Sequence, residues 1–208
     1  MAPQHSGKRA DTPRAHANPL AYAVDARDQS TLAMVKEAVA HKQVMLAYQP
    51  VIQASRQNHV AFYEGLIRVL DETGRVIPAR DFIAAIETTE TGRIIDCLAL
   101  EQGLRALNTD PTLRLSVNMS ARSIGYGRWG ETLRRRLARN PHLAERLILE
   151  ITESSVLQVP ELVMDFMTDM RRFGISFALD EFGADLTSFR YLRDFCFDLL
   201  TIDSQFVR

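Results

Sequence analysis

Several apolar segments of this chain carry an oxygen-bearing side chain at or near their C-terminal end. Leu113-Arg-Leu-Ser-Val-Asn118 ends in Asn118, Leu147-Ile-Leu-Glu150 in Glu150, and Ile175-Ser-Phe-Ala-Leu-Asp180 in Asp180, with Glu181 next. Leu199-Leu-Thr-Ile-Asp203 ends in Asp203, and Glu64 interrupts the apolar run Val60-Ala-Phe-Tyr-Glu-Gly-Leu-Ile67. A carboxylate inside a buried strand is costly without a partner. Carboxylates that converge on one mouth repel one another unless a cation lies between them. With no His or Cys in the set, the donors suit a hard ion: Mg2+, Mn2+ or Ca2+. Such an ion polarises a phosphoryl oxygen and lowers the pKa of bound water, so the chemistry indicated is metal-assisted phosphodiester hydrolysis. A two-carboxylate glycosidase is the alternative on such a scaffold, but the asparagine and the adjacent Asp180-Glu181 pair favour a metal.

These positions need elements that gather strand ends. Val44–Ile52 and Val60–Ile67 read as strands joined by a polar turn around Ser55–Asn58. Helical patterns at about 79–89 and 93–108 precede a strand at Leu113–Asn118. A helix near 129–139 stops at Asn140-Pro141 before a strand at Arg146–Ile151. Pro160 suits a helix start, with Leu162, Phe166, Met167 and Met170 as the buried stripe. Strands at Ile175–Leu179 and Phe197–Ile202 flank a short helix at about 187–194. The alternation predicts parallel βαβ units, and continuous apolar strands predict burial on both faces. The fold class is α/β, of the TIM-type β/α barrel, which gathers its chemistry at the C-terminal ends of the strands.

The rest of the chain sets bounds. Its 208 residues are 46% hydrophobic and 25% charged, with a net charge of −1, so no broad cationic field exists to collect nucleic acid or anionic lipid. Residues 1–27 read as a disordered tail and 28–43 as a helical lead-in, with Leu32, Met34, Val35, Ala38 and Val39 at helical spacing. That helix either packs under the barrel or links it to something upstream. Cys97 and Cys196 form no CxxC pattern and are expected as two buried thiols in a reducing cytosol. No apolar run reaches the length of a membrane span, which gives a cytoplasmic expectation. The run Arg134-Arg-Arg136, with Arg128 and Arg139, reads as a solvated helix face rather than a nucleic-acid patch, and Trp129 as packing.

The ordered motifs resemble those of EAL domains, which hydrolyse the bacterial messenger cyclic di-GMP. Tyr48-Gln-Pro-Val51 is followed by Tyr63-Glu-Gly-Leu-Ile-Arg68, where the name-giving Glu-Ala-Leu reads Glu64-Gly65-Leu66. Ile77-Pro-Ala-Arg-Asp-Phe-Ile83, Ser116-Val-Asn-Met-Ser120, Leu149-Glu-Ile-Thr-Glu-Ser154, Asp180-Glu-Phe-Gly183 and Asp198-Leu-Leu-Thr-Ile-Asp203 continue the series in family order. The resemblance implies Mg2+ or Mn2+ held by Glu64, Asn118, Glu150, Asp180 and Glu181, with Ca2+ as an inhibitory or structural substitute. It places Glu64, Glu150 and Asp180 at the chemistry, and Gln49, Leu66, Arg68 and Asp203 against the ligand, cyclic di-GMP. Glu153 resembles the glutamate that anchors the loop after the Asp180 strand, though it also suits a helix cap.

Departures from the pattern bear on activity. Glu181 replaces the second of two aspartates, and Thr201 stands where the family has a lysine. The loop Gly183-Ala-Asp-Leu-Thr-Ser188 carries Asp185 and Leu186 in place of a glycine and an aromatic. Two further strand–helix units, with a later glutamate and glutamine, would follow Arg208, so 44–208 reads as a partial EAL domain, an incomplete barrel taken as a piece of a longer protein. The resulting expectation is cyclic di-GMP binding with impaired or absent hydrolysis. The alternatives are an active phosphodiesterase yielding linear pGpG in a longer native chain, and a ligand-free protein-interaction module. A homodimer or a partner protein stays open.

Overall fold

In a computed structural model of the chain, residues 19–53, 55–56, 58–183, 195–202 and 204–206 are described. Helix α1 spans Pro19–Ala40, and strands β1 (Val44–Ile52), β2 (Val60–Leu70) and the short β3 (Val76–Ile77) follow. Next come helices α2 (Ile83–Ile86) and α3 (Glu90–Thr109), strand β4 (Leu115–Asn118) and helix α4 (Gly127–Arg139). Strand β5 (Leu147–Thr152), helices α5 (Glu153–Gln158) and α6 (Pro160–Arg171), and strands β6 (Ser176–Phe182) and β7 (Leu199–Ile202) complete the order.

Among the described residues the strands join one seven-stranded sheet in the order β1-β2-β4-β5-β6-β7, with β3 paired to β2. From β2 onward the main path is parallel, whereas β1 runs antiparallel to β2, with Tyr48 opposite Gly65 and Gln49 opposite Glu64. The polar turn between β1 and β2 is too short for a crossover, so the chain must fold back as a hairpin. The curved sheet with helices on one side is the β/α-barrel arrangement; it is not closed among the described residues.

Both faces of the central strands are buried, as continuous apolar runs require. Leu115, Val117, Leu147, Leu149, Phe177 and Leu179 pack outward against Leu104 of α3, Trp129 and Leu133 of α4, and Met167 of α6. Inside, Phe62, Ile148 and Ala178 form a small cluster that floors the barrel. Val35, Ala38 and Val39 of α1 pack with Val44, Val69 and Leu98. The lead-in helix therefore lies beside the C-terminal end of β2, past Glu64, rather than beneath the barrel.

The structure corrects several expectations. Helix α1 begins at Pro19, inside the segment read as tail, because proline suits a first turn and the following stretch is alanine-rich. The helix expected at 79–89 is a single-turn 3-10 segment at Ala79–Asp81 and the short α2, interrupted where buried Phe82 leaves helical backbone at φ −143°. In α6 the buried stripe runs through Val163 and Met167, leaving Leu162 exposed. Cys97 is buried but Cys196 is exposed, and both are free thiols. The helix expected at 187–194 lies outside the described residues.

Candidate functional site

On a strand, the side chain two residues further on faces the same side, one step nearer the C-terminal end. Phe62, Ile148 and Ala178 of the barrel floor are followed on that face by Glu64, Glu150 and Asp180, and buried Ser116 of β4 by Asn118. Parallel register sets Glu64 beside Ser116, Asn118 beside Glu150, and Thr152 beside Asp180. The Asn118 amide donates to Glu64 Oε1 at 3.2 Å, joining β2 to β4 at the mouth. Gly65 permits this closeness: a Cβ there would lie 2.9 Å from the Ser116 carbonyl oxygen. Above the floor is a cavity of about 370 Å³ whose lining includes Glu64, Leu66, Asn118, Asp180 and Glu181, with Asp96 on one wall.

Glu150, on β5 beside Asn118, is 4% exposed. Burial raises its pKa to about 7, and the negative charges of Glu64 and Asp180 push the same way. The Ser116 hydroxyl, which lies close to it, offsets a little of this, yet among the described residues Ser116 Oγ and Glu150 Oε2 are both buried without a hydrogen-bond partner of ordinary geometry. A buried carboxylate oxygen with no donor, facing two other carboxylates, is what a cation would relieve. The oxygen-only donor set fits a hard divalent ion in type. Among the described residues, however, no three acidic, His or Cys groups already converge on a single ion position.

The strand end at Asp180 is irregular. The β6–β7 register shifts between Leu179 and Phe182, and Glu181 at the bulge has φ +54°, a region non-glycine residues rarely occupy. Its N–H donates to Asp180 Oδ1 at 2.9 Å. Gly183, at φ +90°, donates its N–H to Glu153 Oε2 at 2.9 Å. Glu153 is buried in the first turn of α5, and the cap of that helix is Thr152, whose Oγ1 accepts the Ser155 N–H at 3.3 Å.

The other expected residues are more scattered. Gln49 sits opposite Glu64 on β1 but is exposed. Half-buried Arg68 is further along β2 and donates to the Ile67 carbonyl at 3.2 Å. Thr201 is exposed on β7. Asp203 lies outside the described residues. Sequence reasoning missed Asp96, whose pKa is pushed up to about 6 by burial, and the serines that surround it. A larger crevice of about 600 Å³ between α4 and α6, lined by Trp129, Phe166 and Phe173, holds none of the expected groups. Trp129 packs edge-on against Phe166 at 5.6 Å, while Arg128, Arg134, Arg135 and Arg139 face solvent.

Comparison with known proteins converges on one family. The EAL domain profile matches residues 32–208. The chain is 28% identical over 178 residues to the cyclic di-GMP phosphodiesterase PdeB of Shewanella oneidensis, covering 84% of this chain and 21% of that protein. It is also 28% identical to the cyclic di-GMP phosphodiesterase PdeA of Borreliella burgdorferi, covering 84% of this chain and 26% of that one. The chain thus spans about a fifth to a quarter of the length of these relatives. Among solved structures, the Xanthomonas citri FimX EAL domain in complex with c-di-GMP superposes with a TM-score of 0.74 at 23% identity, covering 88% of this chain and 73% of that one. The Pseudomonas aeruginosa FimX EAL domain bound to c-di-GMP gives a TM-score of 0.74 at 24% identity, covering 86% and 73%. No helix among the described residues is long and apolar enough to cross a membrane. Fold, motif order and profile agree: the chain belongs to the EAL domain family.

Proposed function

We propose that this chain binds cyclic di-GMP at the carboxylate-lined mouth, with a divalent cation, and that its hydrolysis is impaired or absent. The observation that carries the reading is the buried Glu150 oxygen, without a hydrogen-bond partner among the described residues and facing Glu64 and Asp180, beside the Glu64–Asn118 hydrogen bond. Glu64, Asn118, Glu150 and Asp180, with Glu181 at the rim, would hold Mg2+ or Mn2+. Such an ion supplies charge neutralisation at a phosphoryl oxygen and an acidified water. Leu66 lines the cavity, Gln49 stands level with Glu64 on β1, and Arg68 lies further along β2, where a guanidinium suits a phosphate or a guanine edge. Glu153 holds the start of the loop beyond Asp180.

The impairment rests on two residues. Thr201 offers no positive charge where the family has a lysine, and loss of one preorganised stabiliser of transition-state charge commonly costs ~10²–10³ in rate. Glu181 extends its carboxylate by one methylene from a strained backbone, against the ~0.5 Å tolerance of a working site. The second reading, an active phosphodiesterase, is favoured by the names of the relatives. Calorimetry with cyclic di-GMP and Ca2+ tests binding; a folded sample that gives no heat removes both readings and leaves an interaction module. Incubation with Mn2+ separates the two, since steady release of the linear dinucleotide, abolished by Glu64→Ala, establishes the enzyme.

A further inference from the structure

Three successive N–H groups follow Asn118, and each is taken by a different element. Met119 donates to the Glu150 carbonyl of β5 at 2.9 Å. Ser120 donates to Asp96 Oδ2 of α3 at 3.0 Å, and Ala121 to Ser155 Oγ of α5 at 2.8 Å. Asp96 Oδ2 also accepts the hydroxyl of fully buried Ser123 at 2.6 Å. Arg122 then reaches Gln158 Oε1 at 2.9 Å, a second tie to α5. The same helix carries Glu153, which holds Gly183 just past Asp180.

We propose that Asp96 is a positioning residue: its carboxylate fixes the segment after Asn118, and so the spacing between the Asn118 amide and the carboxylates around it. This rests on the reading of the mouth as a cation and cyclic di-GMP site. The argument is geometric. The ties from β5 and α5 fix Met119 and Ala121; Ser120 between them accepts only the local N–H groups of Arg122 and Ser123, and among the described residues its one bond to a distant element is the N–H it donates to Asp96. Two donors on one carboxylate oxygen make the strongest contact of the loop, because bonds to an ionised acceptor are shorter and stronger than neutral ones. Burial raises the pKa of Asp96 to about 6, which leaves it predominantly ionised at neutral pH. Groups that orient a ligand from behind typically contribute 10–100-fold to metal affinity without touching the ion.

The test compares Mn2+ and cyclic di-GMP affinities of the full chain, Asp96→Asn and Ser123→Ala by calorimetry, well below each melting temperature. Asp96→Asn is expected to weaken Mn2+ binding ~10–100-fold, and Ser123→Ala to weaken it less, with circular dichroism unchanged. A purely structural role lowers the melting temperature and leaves both affinities equal to wild type, which overturns the proposal. If Asp96→Asn does not fold, Ser123→Ala decides alone, since it keeps the carboxylate and removes one donor; wild-type affinity there overturns the proposal. A wild-type chain that binds neither probe removes the cyclic di-GMP reading, and this inference with it. A wild type that binds beside variants that bind equally well removes only the role of Asp96.

Discussion

The Glu153 carboxylate accepts the Gly183 N–H at 2.9 Å, tying the first turn of α5 to the residue that follows β6. Gly183 sits at φ +90°, and a Cβ there would lie 3.0 Å from the Phe206 ring. The chain beyond Asp180 therefore leaves β6 through a backbone position that glycine permits and a buried carboxylate fixes. Neither constraint involves a residue facing the cavity.

Truncating Glu153 should consequently weaken the site more than its position suggests. Glu153→Ala leaves the Gly183 donor without its partner, at a cost of ~1–3 kcal/mol in stability. Cyclic di-GMP affinity should fall at least several-fold on protein that is still folded, while Glu153→Gln, which keeps an acceptor oxygen, recovers part of both. Urea denaturation and calorimetry read the two quantities, and an affinity unchanged in Glu153→Ala would show that the loop start does not matter to the ligand.

Glu150 predicts a pH-dependent stability of unusual sign for a glutamate. Its folded-state pKa is raised to about 7 from the ordinary glutamate value of 4.5, first by burial and then by Glu64 and Asp180. The native state therefore binds the proton more tightly than the unfolded chain, and stability falls as pH rises through that window. Glu150→Gln should be more stable than wild type near about pH 8, by on the order of 2 kcal/mol, and no more stable near about pH 4. Mn2+ should stabilise wild type at the higher pH and the variant much less. Denaturant midpoints at both pH values, with and without the ion, check this. A variant less stable than wild type at about pH 8 contradicts the strained carboxylate.

How much of this was legible in the sequence depends on whether a residue breaks its local pattern. Glu64 and Glu150 stand out because a carboxylate in an apolar strand is anomalous, and positions at or near the C-terminal ends of such strands put them with Asn118 and Asp180 at one mouth of a barrel. Asp96 did not stand out, because an aspartate in a helix with many polar positions looks like solvated surface; its partners Ser120 and Ser123 are 24 and 27 residues away. Helix α5 was missed because six residues are too few for a periodic signal, and only its Thr152 cap marks it. The exposed Leu162 shows the same limit in α6, where a shift of one residue in phase changes which side chain meets the core. The reversed direction of β1 follows from its short turn, but whether that turn is compatible with a barrel is decided by β2, which pairs on both sides.

Thr201 gives a gain-of-function prediction. It is exposed on β7, beside the stretch where the pairing with β6 is irregular, so a lysine there displaces no core side chain. Thr201→Lys restores a positive charge at the family's lysine position and should raise linear dinucleotide production with Mn2+ by at least ~10-fold, as expected for one recovered electrostatic stabiliser. Cyclic di-GMP affinity should change less than the rate. A variant that binds as before and turns over no faster places the defect elsewhere, with Glu181 the next residue to replace.

Glu181 separates stability from function at a single position. At φ +54° its backbone occupies the left-handed region, which costs a side-chain-bearing residue roughly 1–2 kcal/mol relative to glycine. Its N–H is held by Asp180 Oδ1, a contact that glycine keeps. Glu181→Gly should therefore raise the unfolding free energy by about 1 kcal/mol, while removing a carboxylate from the cavity rim and weakening Mn2+ binding. Glu181→Asp keeps the charge and the strain, so its stability should match wild type while its metal affinity reports the effect of the shorter reach. If glycine stabilises the protein and leaves Mn2+ affinity intact, Glu181 is not a ligand. The left-handed backbone at the bulge would then need another explanation, because strain at such a position persists only where the surrounding structure enforces it.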